Sequence, residues 1–190
     1  MTISECTRSA DSARAVPSRH SDWTTAPLHE LTEHIITTYH DPLRAELPRL
    51  EWLAARVARL HGTKAPRLLA RVDAAVRELS HDLTAHMRKE EQLLFPGICG
   101  LECSGACALP LTGAIRVMAF EHDRVSAVLP DLRVATGGFT PPHWACPSTR
   151  ALYDGLAALE FEIHAHLHLE NNVLFPQAVK LAEAMAGSWT

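Results

Sequence analysis

A repeat of 80 residues constrains the fold of this chain more than any other feature of its sequence. Residues 72–96, shifted by 80 positions, lie on residues 152–176, and both copies carry a His, a Glu four residues later and a Leu-Phe-Pro tripeptide. The apolar positions in each copy advance by alternating steps of four and three residues. This spacing is typical of the buried stripe of a helix in a bundle.

Four helices are predicted, separated by stretches that contain Gly and Pro. No segment shows sustained alternation of apolar and polar residues, so strands are not expected. The helices run from about Leu28 to His61, from about Pro66 to Phe95, from about Leu111 to Ala135 and from about Ser148 to Ala186. We therefore predict an all-α, up-down-up-down four-helix bundle of two repeated helical hairpins over residues 27–187, after a flexible tail of residues 1–26. Kinks are expected at Pro42 and Pro48.

The composition limits which classes of partner are plausible. The net charge is −4 and both signs are scattered, so neither nucleic acid nor an anionic membrane surface is indicated as a partner. No apolar run is long enough to predict a membrane span. An N-terminus without an apolar signal region and an odd number of cysteines, five, predict a cytoplasmic protein with reduced thiols. The twelve histidines favour metal binding instead, because histidine is the commonest metal ligand in proteins.

In both copies of the repeat, the apolar stripe of the helix is interrupted by polar residues at the same position. His86 and Glu90 in the first copy correspond to His166 and Glu170 in the second. A His and a Glu four residues apart share one helix face, with Cβ atoms about 5–6 Å apart. A buried His–Glu hydrogen bond would explain one such pair. Two pairs at matching core positions favour metal ions, because facing buried carboxylates repel unless cations lie between them.

The other two helices each place one histidine, His40 and His122, in an apolar stripe. Each hairpin thus offers one His from its first helix and a His and a Glu from its second, giving four His and two Glu with approximate two-fold symmetry. At about 1.5 Å per residue, His40 and His86 both lie about 30 Å from the connecting loop, hence at one level. His61 lies beside that loop and is only a weak candidate.

Imidazole and carboxylate ligands suit iron, zinc or manganese. A ferritin-type site needs two Glu-x-x-His motifs, and only Glu78 and His81 form one, so that type is disfavoured. Acids close to the ligand histidines either orient a ligand imidazole or are ordinary surface acids; these are Asp82, Glu121 and Glu162.

Several motifs of the chain resemble the hemerythrin-like HHE domain, and more closely the iron–sulfur cluster repair di-iron proteins, which are linked to nitrosative and oxidative stress. The matching stretches, within about residues 28–180, are Tyr39-His40-Asp41, Leu47-Pro48, His86-Met87-Arg88-Lys89-Glu90-Glu91-Gln92, Leu94-Phe95-Pro96, Glu121-His122-Asp123, Pro141-Pro142, Ala145-Cys146 and residues 169–176. The resemblance implies a non-haem centre of two iron ions, oxo- or hydroxo-bridged. Its implied ligands are His40, His86, His122 and His166, with Glu90 and Glu170 as bridges.

Two features depart from the family pattern. Many members carry an additional N-terminal domain with a cysteine pair, whereas this N-terminal stretch contains Cys6 alone. The segment with Cys99, Cys103 and Cys107 is predicted to be a loop over the metal-site end. It is either a solvated loop with incidental thiols, or a redox pair or transient metal-transfer site.

Three functions are compatible with these features. The first is a di-iron protein of the nitrosative and oxidative stress response that binds nitric oxide or supplies iron for repair of damaged iron–sulfur clusters, with iron–sulfur proteins as partners. The alternative is a hemerythrin-type dioxygen carrier or sensor, although such sites usually use five His in an asymmetric set. A purely structural metal site is disfavoured, because structural sites normally have no open coordination position. Whether the chain is an enzyme, and which residues would be catalytic, stays open.

Overall fold

The computed structural model describes residues 23–105 and 110–187, and it contains no strand within those ranges. Its elements are α1 (Leu28–Ile35), the π-helical segment π1 (Ile36–His40), α2 (Asp41–His61), α3 (Pro66–Lys89), π2 (Glu90–Leu94), α4 (Phe95–Ser104), α5 (Leu111–Ala135), α6 (Pro147–Leu169), π3 (Glu170–Leu174) and α7 (Phe175–Gly187). Elements that follow one another without a break form four long helical rods: α1–π1–α2, α3–π2–α4, α5 alone, and α6–π3–α7. Each rod packs against two neighbours. The predicted all-α four-helix bundle is confirmed. None of the described helices is both long and apolar enough to span a lipid bilayer.

A proline follows each of the three π-helical segments, two residues after its end, at Pro42, Pro96 and Pro176. A proline ring has no N–H to donate and collides with the carbonyl four residues earlier in a regular α-helix. The residue before each proline donates its backbone N–H to the carbonyl five residues earlier, which widens the turn. The expected irregularity at Pro42 therefore takes the form of π1, whereas α2 continues as an α-helix through Pro48.

The second rod is longer than predicted, because the chain stays helical beyond Phe95 as far as Ser104. Ile98 and Leu101 of α4 are buried, so burial of apolar side chains outweighs the low helix propensity of its glycines. The rod ends at Gly105, whose φ of 67° places it in the left-handed conformation common after a helix. The predicted loop at Cys99 and Cys103 is wrong.

Some predictions fall on residues that the structure does not describe. Cys6, Cys107 and most of the predicted tail, residues 1–22, lie outside the described ranges. From Trp23 onward the chain contacts the bundle: the indole stacks on the ring of His34 at 4.3 Å between centroids, and Gln177 donates its side-chain N–H to the Trp23 carbonyl.

Two apolar clusters fill the interior, and a polar layer separates them. The larger cluster is built mainly by α2, α3, the second half of α5, and α6. The smaller one is built mainly by α1, α4, the first half of α5, and the start of α7. In every rod the predicted ligand positions lie at the boundary between the two clusters. The fold therefore brings all of them to one level.

Candidate metal centre

All six predicted ligands meet in this polar layer, and each is at most 2% exposed. They form two overlapping groups of four residues, within each of which the possible ligand atoms lie within 4.8 Å of one another. The groups are His40, Glu90, His166 and Glu170, and His86, Glu90, His122 and Glu170. Both groups contain both glutamates. The possible ligands thus form two halves that share both carboxylates.

Glu90 points one carboxylate oxygen towards each half of the centre. Its Oε2 lies 3.4 Å from Nε2 of His40, and its Oε1 lies 3.2 Å from Nε2 of His86. The glutamate starts π2 directly after α3, so the widened turn begins at the residue that faces both halves. Such turns are frequent at functional sites.

Glu170 repeats this arrangement from the fourth rod. Its Oε1 lies 3.0 Å from Nε2 of His166, and its Oε2 lies 3.2 Å from Nε2 of His122. Across each half the histidine nitrogens converge: Nε2 of His40 is 3.1 Å from that of His166, and Nε2 of His86 is 3.0 Å from that of His122.

The donor set fits bound metal. Both oxygens of Glu90 and Oε2 of Glu170 are buried without a hydrogen-bond partner, which is costly for an ionised carboxylate. Two donors bound to one ion at about 2.0–2.2 Å and at right angles lie about 3 Å apart. The converging nitrogens and oxygens have this spacing.

Two acceptors that the sequence analysis missed orient His40 and His122. Nδ1 of His40 lies 2.8 Å from Oε1 of Glu91, and Nδ1 of His122 lies 2.9 Å from Oδ1 of Asn171. A proton held on Nδ1 by such an acceptor leaves the lone pair of Nε2 facing the centre. Glu91 and Asn171 are equivalent in the 80-residue repeat, each following a predicted bridging Glu, and this position was the available signal.

Of the three acids left open in the sequence, one orients a ligand. Glu121 accepts from Nδ1 of His86 at 3.1 Å and also binds Lys89. Asp82 instead pairs with Arg124 on the surface at 3.1 Å, which agrees with the alternative that it is an ordinary surface acid. Burial, together with the negative charge of Glu162, raises the pKa of Tyr39.

The repeat is broken at His166, whose buried Nδ1 has no hydrogen-bond partner. Tyr39 precedes His40 as Glu121 precedes His122, so Tyr39 occupies the position of the missing acceptor. Its ring stacks on His166 with 5.6 Å between centroids and 9° between planes. This imidazole therefore has a stacked ring, and no hydrogen-bond acceptor at Nδ1, where the other three have an acceptor.

The phenylalanines of the repeated Leu-Phe-Pro tripeptides also contact ligands. Phe95 stacks on His40 at 5.7 Å and Phe175 on His122 at 5.5 Å between ring centroids. The tripeptide thus combines the proline that follows each π turn with a ring that packs on a predicted ligand imidazole.

In the absence of metal, the imidazoles and carboxylates of the layer shift one another's pKa values. Burial raises the pKa of Glu170, but His166 and His122 outweigh burial and hold that pKa well below its ordinary value. Burial lowers the pKa of His86, but the charges of Glu90 and Glu170 outweigh it and raise that pKa to about 9. Metal ions must displace such protons in order to bind.

We expect iron affinity to rise with pH. Because the folded, metal-free pKa of His86 is about 9 and the unfolded value is about 6.5, its protonation stabilises the metal-free fold fully below pH 6.5 and no longer above pH 9. Metal affinity changes in the opposite direction, by about tenfold per pH unit for each displaced proton. Competition with a chelator of known proton affinity, from pH 6 to 8, measures it. An affinity that does not change with pH would contradict the displacement of protons by metal ions.

His61 and three of the cysteines lie outside the two ligand groups. The imidazole of His61 contacts Cys146 and Trp144 rather than the glutamates. Cys99 is a buried free thiol, and Cys146 is a partly exposed one. Cys103 is disulfide-bonded, so the expectation of reduced thiols is wrong at that residue.

Comparisons with known proteins agree with this geometry. The hemerythrin HHE cation binding domain matches residues 31–178. The iron-sulfur cluster repair protein YtfE of Yersinia pestis (strain Pestoides F) is 42% identical over 166 residues, which cover 86% of this chain and 72% of the relative. The protein of the same name from Yersinia pseudotuberculosis (serotype O:1b, strain IP 31758) has the same identity and coverage.

Proposed function

Because this chain belongs to the hemerythrin HHE cation binding domain family, we propose that it is a non-haem di-iron protein of the nitrosative and oxidative stress response. In this proposal it binds nitric oxide or supplies iron for the repair of damaged iron–sulfur clusters. The similarity to two iron-sulfur cluster repair proteins supports the repair role. Iron–sulfur proteins are the macromolecular partners, and a cytoplasmic location stays a prediction.

The observation that carries the proposal is the position of Glu90 and Glu170 between two pairs of imidazoles. Each carboxylate offers one oxygen to each half, so the set of four imidazoles and two carboxylates is suited to two ions rather than one. The proposed ligands of one ion are His40 and His166, and those of the other are His86 and His122. Glu90 and Glu170 are the proposed bridges.

The protein residues of the centre have three tasks in this function. The carboxylates and imidazoles hold both ions at four protein donors each, which leaves room for a small ligand such as nitric oxide or dioxygen. Bound iron supplies affinity for these diatomic ligands and a change of oxidation state. Glu91, Glu121 and Asn171 hold protons on Nδ1 and keep Nε2 available. The apolar clusters on both sides separate the layer from water.

A dioxygen carrier or sensor is the second candidate. The same diatomic-binding chemistry would serve it, and the family name includes hemerythrin. Hemerythrin-type sites usually use five His in an asymmetric set, whereas the two groups here hold two His each. The symmetric set therefore favours the first candidate.

Iron transfer separates the two candidates. We expect the reduced, iron-loaded protein to give a new absorption band with nitric oxide and to restore activity to a cluster-depleted iron–sulfur dehydratase supplied with sulfide. The metal-free protein, and free iron in the presence of a chelator, are the controls. Reversible dioxygen binding without iron transfer would contradict the repair role and favour the carrier.

A further inference from the structure

A thiol and an imidazole are paired at the His61 end of α2, outside the metal-ligand groups. Nε2 of His61 lies 3.2 Å from Sγ of Cys146, and the Thr149 hydroxyl lies 3.4 Å from the same sulfur. Cys146 directly precedes α6, and its side chain is partly exposed. A thiol within hydrogen-bond reach of an imidazole is the arrangement of an activated nucleophile.

The surroundings of Cys146 favour its thiolate. The Thr149 hydroxyl, the His61 imidazole and the first-turn amides of α6 lower the pKa of the thiol to about 6. Cys99 shows the opposite environment within the same chain, since burial raises its pKa. The two free thiols thus provide an internal comparison.

Three basic residues contact or adjoin the neighbours of the pair. Arg56 donates to the hydroxyl of Ser148, two residues from the thiol, at 3.3 Å. Lys64 lies over the Trp144 ring at 5.8 Å, and that ring contacts His61 at 5.2 Å between centroids. Arg150 follows in the first turn of α6, with its backbone N–H on the Cys146 carbonyl. These charges suit a small anionic reagent approaching the sulfur.

We propose that Cys146 is a nucleophilic thiol that forms a mixed disulfide with a negatively charged, low-molecular-weight disulfide, and that His61 is its proton acceptor. The thiol proton passes to Nε2 of His61. The thiolate attacks one sulfur of the reagent, the new S–S bond forms as the reagent's own S–S bond breaks, and the leaving thiolate takes the proton. Cys146 is oxidised and the leaving thiol is reduced, so the electrons balance. The proposal is independent of the function of the metal centre.

The test follows the rate at which glutathione disulfide modifies Cys146 in the iron-loaded full chain, by peptide mass spectrometry from pH 5.5 to 9. We expect the half-maximal rate near pH 6 and little reaction at Cys99. His61→Phe and Thr149→Val should each raise this midpoint, and His81→Phe, on the exposed face of α3, is the matched control. At pH 6 a variant that carries both His61→Phe and Thr149→Val should react about tenfold more slowly than wild type, because its lower fraction of thiolate outweighs the higher nucleophilicity of that thiolate.

A wild-type midpoint in the ordinary thiol range of about 8–9 would overturn the proposal. So would a midpoint unaffected by His61→Phe, or a Cys99 rate equal to that of Cys146. Thr149→Val and the wild-type profile decide the matter if His61→Phe fails to fold. The uncharged 2-hydroxyethyl disulfide should react more slowly than glutathione disulfide. The difference between the two rates should become smaller at high salt, because salt screens the attraction between charges. Equal rates for the two reagents at low salt would overturn the preference for an anion.

Discussion

Replacing Glu170 by Gln should release at least one iron ion from each chain. The amide keeps the shape of the side chain but removes the negative charge, and an amide bridges two cations poorly compared with a carboxylate. Oε1 and Oε2 of Glu170 lie 3.0 and 3.2 Å from nitrogens in different halves, so both halves lose a donor of the same kind. Glu90→Gln should behave alike because of the repeat. Iron per chain, measured after gel filtration, is the readout.

Glu78→Gln is the matched control for this prediction. Glu78 is exposed on α3 and belongs to the Glu-x-x-His motif of the disfavoured ferritin-type site. Its replacement should leave iron content unchanged. Because a ligand that binds only the folded state raises stability, a chelator should lower the Tm of wild type more than that of Glu170→Gln. Retention of both irons by Glu170→Gln, with the full chelator effect, would show that this carboxylate does not bridge.

The second large effect is expected at His86. His86→Ala removes a buried nitrogen donor and leaves a cavity beside Glu90, so the half containing His86 and His122 should lose its ion. His61→Ala should leave iron content unchanged, because His61 contacts Cys146 rather than the glutamates. Both variants remove an imidazole from a helix, which makes them a matched pair.

Elemental analysis of the two purified variants, with circular dichroism to verify folding, separates these outcomes. Equal iron loss from His86→Ala and His61→Ala would mean that imidazole content or general stability, rather than position, controls metal binding. Loss from His61→Ala alone would place a ligand at the opposite end of the bundle and contradict the proposed ligand set.

The positions that meet in the structure could be predicted because a bundle helix has a fixed rise and period. The step of four from His86 to Glu90, repeated at His166, identified two pairs on buried stripes. The rise per residue then placed His40 at the same level. The third helix, Leu111–Ala135, has the predicted limits.

Other features depend on side-chain contacts that the spacing of apolar residues does not reveal. Each π segment ends two residues before a proline, whereas Pro48 lies within a continuous α-helix, and the pattern of apolar residues does not distinguish the two cases. Side-chain reach between rods decides that Glu121 binds His86 while Asp82 binds Arg124. The helical course of α4 depends on burial against a cluster assembled from distant parts of the chain.

The stacking of Tyr39 on His166 also could not be predicted from one sequence. The two repeats differ at this position, Tyr39 against Glu121, but a difference alone does not state whether a ring or a carboxylate contacts the ligand. Only the packed structure shows that the ring lies parallel to the imidazole.

The metal content of the wild-type chain tests the central claim most directly. Protein produced in iron-replete medium, purified without chelator, is analysed for iron, zinc and manganese together with an amino-acid determination of protein. Two iron ions per chain is the expected result, because each half of the centre has two imidazoles and one oxygen from each carboxylate. One ion per chain, or stoichiometric zinc in place of iron, would contradict a di-iron centre.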